Sequence, residues 1–569
     1  MIRSCTILTG LILIVVTVAC SAQAPLPTQI APAGGIATAT LAITPGAATA
    51  TLAPSLQVTP TDDAPVTPTA SPTTAPTATP APWTVRIELG TPPELVHEMQ
   101  RLVEMQPAQF RLASDGQEAD VSLLPHRGQP LAMWIYAVVV PFATLDEATT
   151  LVDLQNNWTN GGSPQALVDE TAEALLAATW GQGGARVVAT EDLIGELWAQ
   201  RPAWSVVPFH DLEPRLKVLP VDGVSPLAAD FEAETYPLAF SIGLEGNPNA
   251  VAAVRGAWQG TPTNHQPEQI TRLAMSGVTA LVRATAYQME IRGINYPGEE
   301  VAPVLRAADL AHVSNEVSFV PDCPPPHYIG DPVFCSSPRY LALLEEIGVD
   351  IVELTGNHLS DWGAQYLRYT VDLYEEAGMR TFGGGRDLAE ARAPLVVEHN
   401  GNSLAFVGCN PAGPFGAWAT DERPGSAPCD QESFRAQIAT LRAEGYVVIA
   451  TLQYHEFYTY SPTNQQVADF RALAEAGAAA VSGSQGHHVQ AFDFHEGAFI
   501  HYGLGNLFFD QMDMLGTRQT TVDTYTIYDN RILNVQVWTG LIENYARPRL
   551  MNAEERRDLL QTLFTAGGW

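Results

Sequence analysis

Positive charge is scarce in this chain. Lys and Arg number 29 against 62 Asp and Glu in 569 residues, a formal net charge of −33. Nucleic-acid binding requires clustered cations that neutralise phosphates, so this balance argues against it. A site for an anion would need locally placed cations or a metal. Long apolar runs are scarce too. Leu8 to Val18 is shorter than the ~20 residues of a membrane-spanning helix, and no later segment is apolar enough to span. Residues 21 to 82 contain no aromatic side chain. That stretch is Ala, Thr, Pro and Ser with scattered aliphatics, and it cannot bury a core. It reads as a disordered linker over 21–83, which as a coil spans roughly 45 Å.

The opening MIRSCTILTGLILIVVTVACSAQ has Arg3, a short apolar run, and small residues before Cys20. This pattern predicts a signal peptide over 1–20. Val18-Ala19-Cys20 resembles a lipobox, which implies a lipid-anchored, extracytoplasmic protein. Ordinary cleavage and an uncleaved anchor are the alternatives. Without Cys5 and Cys20, four of the six cysteines remain: Cys323, Cys335, Cys409 and Cys429. An even number in an exported chain suggests two disulfides. The simplest pairing is 323 with 335 and 409 with 429, though three connectivities are open. The spacing fits no zinc module.

From Trp83 the sequence is globular and alternates strand and helix patterns, the signature of α/β architecture. Thr84–Ile87, Ala132–Pro141 and Ala185–Ala189 read as strands; Glu94–Met105, Leu145–Leu154 and Gln165–Thr179 read as helices. Residues 84–250 form one expected domain. Its last part, Val206 to Leu238, weakly resembles a periplasmic substrate-binding domain. A connecting helix is expected within 251–275. A second series occupies 270–545, with strands at Val278–Val282, Leu310–Asn315, Ile351–Leu354, Leu404–Gly408, Tyr446–Leu452, Ala479–Val481 and Phe499–Tyr502. Helices fall at Ser337–Ile347, Gln365–Ala377 and Gln465–Ala476.

The polar residues with chemical potential follow these strands, where open α/β sheets place ligands. They are Asn315-Glu316, Gly356-Asn357-His358 with Asp361 behind, His455-Glu456, Gln485 with His487-His488, and Gly505-Asn506 with Asp510. Carboxylate, amide and imidazole groups at five strand ends suit a divalent Mn, Fe, Zn or Mg ion. Such an ion polarises a phosphoryl or carbonyl oxygen and activates water. Taken singly, each has a plainer reading. Asn315-Glu316 could begin a helix, His455 could be a satisfied strand-end histidine, and Gly505-Asn506 could be a turn.

Read in order, ADLAHVSNE, TGNHLSDWG, QYHEFYTYSPTNQQ, GSQGHHVQ and FIHYGLGNLFFDQ resemble the motifs of the CapA (poly-γ-glutamate capsule synthesis) family of the calcineurin-like metallophosphoesterases. They cover nearly all of 278–512. The resemblance implies an αββα sandwich for the C-terminal domain. It also implies metal-site roles for Glu316 or Asn315, Asn357, His455 and His487. His358 would be a general acid or electrostatic partner, Asp361 would back it, and Asn506 would shape the pocket. Two positions depart from the family pattern: Arg283-Ala284 stands where Gly-Asp is usual, and Gln485 replaces the first His of a His-x-His pair. Gln is a poor transition-metal ligand, and an Arg there would repel a cation. Arg283 could instead grip a phosphate or carboxylate, with Gln485 and Asn506 also touching substrate. The leading expectation is a divergent metal-dependent hydrolase or transferase acting on an anionic envelope polymer or phosphoester. The rival is a non-catalytic protein that binds an anionic ligand in a degenerate pocket. A third reading makes 84–250 a solute-binding module.

Overall fold

The computed structural model describes residues 81–114, 116–329 and 333–569. The expected signal peptide, its lipobox cysteine and nearly all of the linker lie outside these residues.

Upstream of the second series, strands between Trp83 and Gly246 build one nine-stranded mixed sheet flanked by helices. Local capping decides two differences from the expected elements. The helix expected at 145–154 runs instead over Leu151–Asn160, because the Thr150 hydroxyl accepts from the Asp153 N–H and fixes the start there. The helix expected at 165–179 divides into the strand Gln165–Val168 and the helix Glu170–Trp180, with Asp169 capping the Ala172 N–H. The expected connecting helix over 251–275 ends early. A helix covers Pro248–Ala257, and Thr271–Thr279 is a strand. That strand lies earlier than the expected 278–282, and Arg283 already begins the helix Arg283–Arg292.

The second series forms two sheets packed face to face. One contains, in order, Arg380–Phe382, Ile351–Glu353, Leu310–Asn315, Thr271–Thr279, Gln519–Tyr528, Arg531–Glu543 and Arg547–Leu550, with Asn506–Phe508 added beside Thr271–Thr279. The other contains Leu395–His399, Asn402–Cys409, Val447–Gln453, Ala480–Ser484, Ala498–His501 and Phe492–His495. Strand alternation sorts the side chains. Ala311, Val313 and Val352 pack under helices with Leu343, Leu367 and Val371. Val448, Ala450 and Val481 pack under Ile438, Phe470 and Leu473 of the other helical layer. Leu310, Ile351, Val447, Ile449, Ala480 and Phe499 meet between the sheets. The result is the expected four-layer αββα sandwich.

Polarity changes along that inter-sheet layer. The first half of each strand contributes aliphatic side chains. The second half contributes His312, Ser314, Glu353, Thr451, Gln453, Ser482 and Ser484, all 5% exposed or less. The apolar end holds the sheets together, and the polar end leads to the candidate site. Cys323 is bonded to Cys335 and Cys409 to Cys429, the simplest of the three pairings.

The two globular parts share their packing. Phe142, from the upstream part, sets its ring 5.2–6.1 Å from Phe492, Phe494, Phe499, Phe564 and Trp569. In the reverse direction, Tyr528 and Leu533 enter the upstream core. Among the described residues, no helix is long and apolar enough to cross a membrane.

Candidate functional site

Three strand ends converge where the inter-sheet layer opens. Glu316 follows Leu310–Asn315, Gln453 ends Val447–Gln453, and Gln485 follows Ala480–Ser484. The loop after Ile351–Glu353 brings Asn357 in. Gly356 is needed there for close approach rather than for a tight turn: a Cβ at this position would stand 2.9 Å from the Glu316 carbonyl oxygen. Arg283, Gln485 and His487 all adopt left-handed backbone conformations, with φ of 44°, 69° and 47°. For side chains of this size such conformations cost roughly 1–3 kcal/mol each and concentrate at functional sites.

The centre of the cluster is the side-chain amide of Gln453. Its NH2 group, with two protons to give, lies within hydrogen-bond reach of Glu316 Oε1 at 2.8 Å, Asn357 Oδ1 at 3.3 Å and Gln485 Oε1. Gln485 in turn donates to Glu456 Oε1 at 3.2 Å. His487 lies beside them, stacked 5.1 Å from the Phe509 ring. Its Nδ1 is 2.7 Å from Asn506 Oδ1. The Asn506 NH2 is committed to the Thr517 and His487 carbonyls and to Gln511, so Oδ1 must accept and His487 Nδ1 must carry a proton. The other ring nitrogen faces Glu456 Oε1 at 3.4 Å and Glu316 Oε2 at 4.0 Å. Both nitrogens therefore face acceptors, which suits an imidazolium.

Burial opposes the charge on His487. Glu316, together with the hydrogen bonds to Glu456 and Asn506, nevertheless raises its pKa above 6.5. Burial pushes the Glu316 carboxyl up from 4.5 against the pull of His487 and His358. The hydrogen bond from His487 holds Glu456 below 4.5 despite partial burial. Stability from the two raised groups is fully present below their unfolded values and is lost as pH rises through the folded ones. Stability from Glu456 is lost as pH falls below 4.5. The thermal midpoint is accordingly expected to peak near pH 4.5, with the Glu316 contribution lost as pH rises above 4.5 and the His487 contribution lost above 6.5. His487→Gln should remove the loss above pH 6.5 and weaken the acid limb as well, because His487 is the main partner holding Glu456 down, as a thermal-melt series across pH would read.

His358 and Asp361 form a neighbouring pair, Nδ1 to Oδ2 at 2.8 Å, and the Phe334 N–H donates to the same carboxylate oxygen at 2.8 Å. Among the described residues, the second His358 nitrogen has no hydrogen-bond partner.

Several sequence expectations change. His455 does not join the cluster. It is exposed, and its ring neighbours are Tyr454 and Phe457. Alternation along the strand explains this: 447, 449, 451 and 453 point between the sheets, and the strand ends at Gln453. Glu456, not His455, turns back to the site. Asn315 folds onto its own chain, with Nδ2 on the Val317 carbonyl at 2.8 Å, so Glu316 alone reaches the centre. The fork of Arg283 is already filled, because Asp510 takes it and also accepts the Ala284 N–H. The guanidinium is clamped 4.9 and 4.8 Å from the Phe334 and Phe509 rings. Arg283 is therefore a strut between the loops and not a free anion grip. Asn506 is fully buried and holds His487. Sequence reasoning missed Gln453 and Ser484, and the parity of Val447–Gln453 was the available signal for the first.

The donor set does not fit a pair of divalent transition metals. It offers one buried carboxylate, one imidazole occupied on both sides, and amides, with N–H groups at the centre. Among the described residues, the group of three His and carboxylate side chains with ligand atoms within 4.8 Å of one another is Glu94, His210 and Asp211, in the upstream part. There the Asn264 NH2 meets His210 Nδ1 at 3.1 Å, which places the ring proton on Nε2, 3.0 Å from Glu94. A hydrogen bond accounts for that grouping.

Residues 266–511 match the family model described as "Bacterial capsule synthesis protein PGA_cap". The chain is 25% identical over 275 residues to "Capsule biosynthesis protein CapA" of Bacillus anthracis, covering 47% of this chain and 67% of that protein. It is 25% identical over 189 residues to "PGA biosynthesis protein CapA" of Bacillus subtilis, covering 33% and 50%. The match thus spans only half of the second relative's length. A 5'-nucleotidase precursor from Thermus thermophilus aligns with a TM-score of 0.31 at 13% identity, over 52% of this chain and 58% of that one, a likeness too distant to bear on function. The motifs in order, the sandwich and the family match together make residues 266–511 of this chain a divergent member of the bacterial CapA capsule-synthesis family.

Proposed function

We propose that this protein is an accessory factor of polyglutamate-type capsule synthesis that binds an anionic polymer at the rim site and does so without a divalent metal. The observation that carries the reading is the Gln453 NH2 group, which lies within hydrogen-bond reach of the oxygens of Glu316, Asn357 and Gln485 where a cation would have to sit. A backbone of repeating amides and carboxylates matches such a surface. The part-exposed His358 and Tyr458, the latter bonded to Glu456, are the side chains beside the cluster that can meet the polymer's oxygens. Export and tethering through residues 1–20 belong to the same proposal, with the protein expected in the membrane fraction.

The His358–Asp361 pair favours a second reading, a metal-free hydrolase. An imidazole oriented by a carboxylate can shuttle a proton, and the same polymer or a phosphoester would be the substrate. One experiment separates the readings. Full-length protein purified without chelator is analysed for metal, titrated with poly-γ-glutamate and with a neutral polymer by calorimetry, and assayed on a phosphoester with and without Mn. Saturable binding of the anionic polymer, no bound metal and no turnover support the binder. Turnover lost in His358→Ala supports the second reading. Stoichiometric metal with Mn-dependent turnover overturns both.

A further inference from the structure

The orientation of the Gln453 amide decides what the site presents at its centre. With NH2 inward the centre donates hydrogen bonds. Turned over, it would bring the Gln453 oxygen against the oxygens of Glu316, Asn357 and Gln485, leaving a proton on Glu316 as the one donor among them. Four converging oxygens in a buried site are costly unless a cation or a shared proton lies among them. Something must therefore hold the amide in its present sense.

We propose that Ser484 is the positioning residue that sets this polarity. Its hydroxyl donates to Gln453 Oε1, the sole hydrogen bond that oxygen receives among the described residues. Ser484 has one proton and a second acceptor in reach, Glu353 Oε1 at 3.4 Å. The contact to Gln453 is much the shorter of the two, and the Thr355 hydroxyl also donates to that Glu353 oxygen, so the Ser484 proton goes to Gln453. Glu353 also faces His312, with 3.4 Å between Oε2 and Nε2. Ser484, Gln453, Glu353 and His312 are all 5% exposed or less, so solvent does not compete for these bonds. Register fixes the contact: Gln453 and Ser484 are paired residues on adjacent parallel strands. No side chain in this chain of contacts touches the rim surface except through Gln453. Ser484 therefore acts on the site through the direction of one amide.

The inference rests on the amide-centred reading of the rim, and its test separates the two. Ser484→Ala removes the proton that holds Gln453 Oε1 and releases the amide to turn. Titrated with Mn²⁺ alone, full-length wild type is expected to show no saturable site at the rim. Ser484→Ala should gain one that is at least tenfold tighter. Ser484→Thr, which keeps the hydroxyl, should behave as wild type. The double variant Ser484→Ala/Gln453→Leu should lose the gain, because the amide oxygen is the added ligand. Independently of any variant, the Gln453 side-chain N–H protons in the wild type should exchange slowly with solvent by NMR. The Ser484 assignment is overturned if Ser484→Ala binds Mn²⁺ no better than wild type, if the gain survives in the double variant, or if those protons exchange like those of an exposed glutamine. Stoichiometric Mn²⁺ binding by the wild type would instead overturn the amide-centred reading itself.

Discussion

Gln453→His is expected to give this protein a divalent metal that the wild type does not take up. The introduced imidazole would replace the NH2 group that now donates to Glu316 and Asn357, and it would offer a lone pair in the same place. Glu316 Oε2 is already without a hydrogen-bond partner and lies 4.0 Å from His487 Nε2. Two imidazoles, that carboxylate and the Asn357 amide oxygen make a donor set of the kind zinc and manganese accept. Binding must displace the Nε2 proton of His487, so uptake should strengthen as pH rises past 6.5, the opposite trend to the wild-type stability curve. Metal content after desalting should change from a trace to about one ion per chain, with a metal-dependent rise in thermal midpoint. A metal-free Gln453→His protein that remains folded would show that the amide does not hold the cation position.

Removing one member of the deepest ion pair should be the most damaging single change to folding. His501 and Asp523 are both fully buried and join the two sheets, Nδ1 to Oδ2 at 2.6 Å. The other His501 nitrogen lies 3.1 Å from the Gln490 carbonyl oxygen, so both nitrogens face acceptors. Asp523→Ala strands a buried imidazole. Breaking such a pair typically costs on the order of 3–5 kcal/mol, a large share of a domain's ~5–15 kcal/mol. Urea unfolding should register a loss of that size. Replacing both partners together with apolar side chains should recover most of it, because the cost arises from leaving one charge unpaired. A loss below about 1 kcal/mol would indicate that water reaches the pair.

The parts of this fold legible in the sequence were those set by local chemistry. The strand Leu310–Asn315 matches its expected limits. The helices Ala364–Glu376 and Asn464–Glu475 fall within one residue of expectation. The long hairpin Gln519–Tyr528 and Arg531–Glu543 was not anticipated, although its signal is present: Asp529 and Asn530 both have positive φ and form a two-residue turn between alternating strands. The site was half legible. Asn357, His487 and Glu316 come together, yet the choice of His455 over Gln453 ignored which face each residue takes. The fate of Arg283 was out of reach, because its partner Asp510 is 227 residues away and no local pattern announces a pairing of that separation.

The ring of Phe142, wedged among Phe492, Phe494, Phe499, Phe564 and Trp569, bears on how the upstream part can move and how it can be studied. Here the upstream sheet is riveted by an aromatic peg into the floor of the sandwich, so swinging the upstream part as a body would tear that seam. A recombinant piece ending near residue 250 would expose the peg to water, and its stickiness would imitate ligand capture. Questions about the upstream half are best asked of the intact polypeptide.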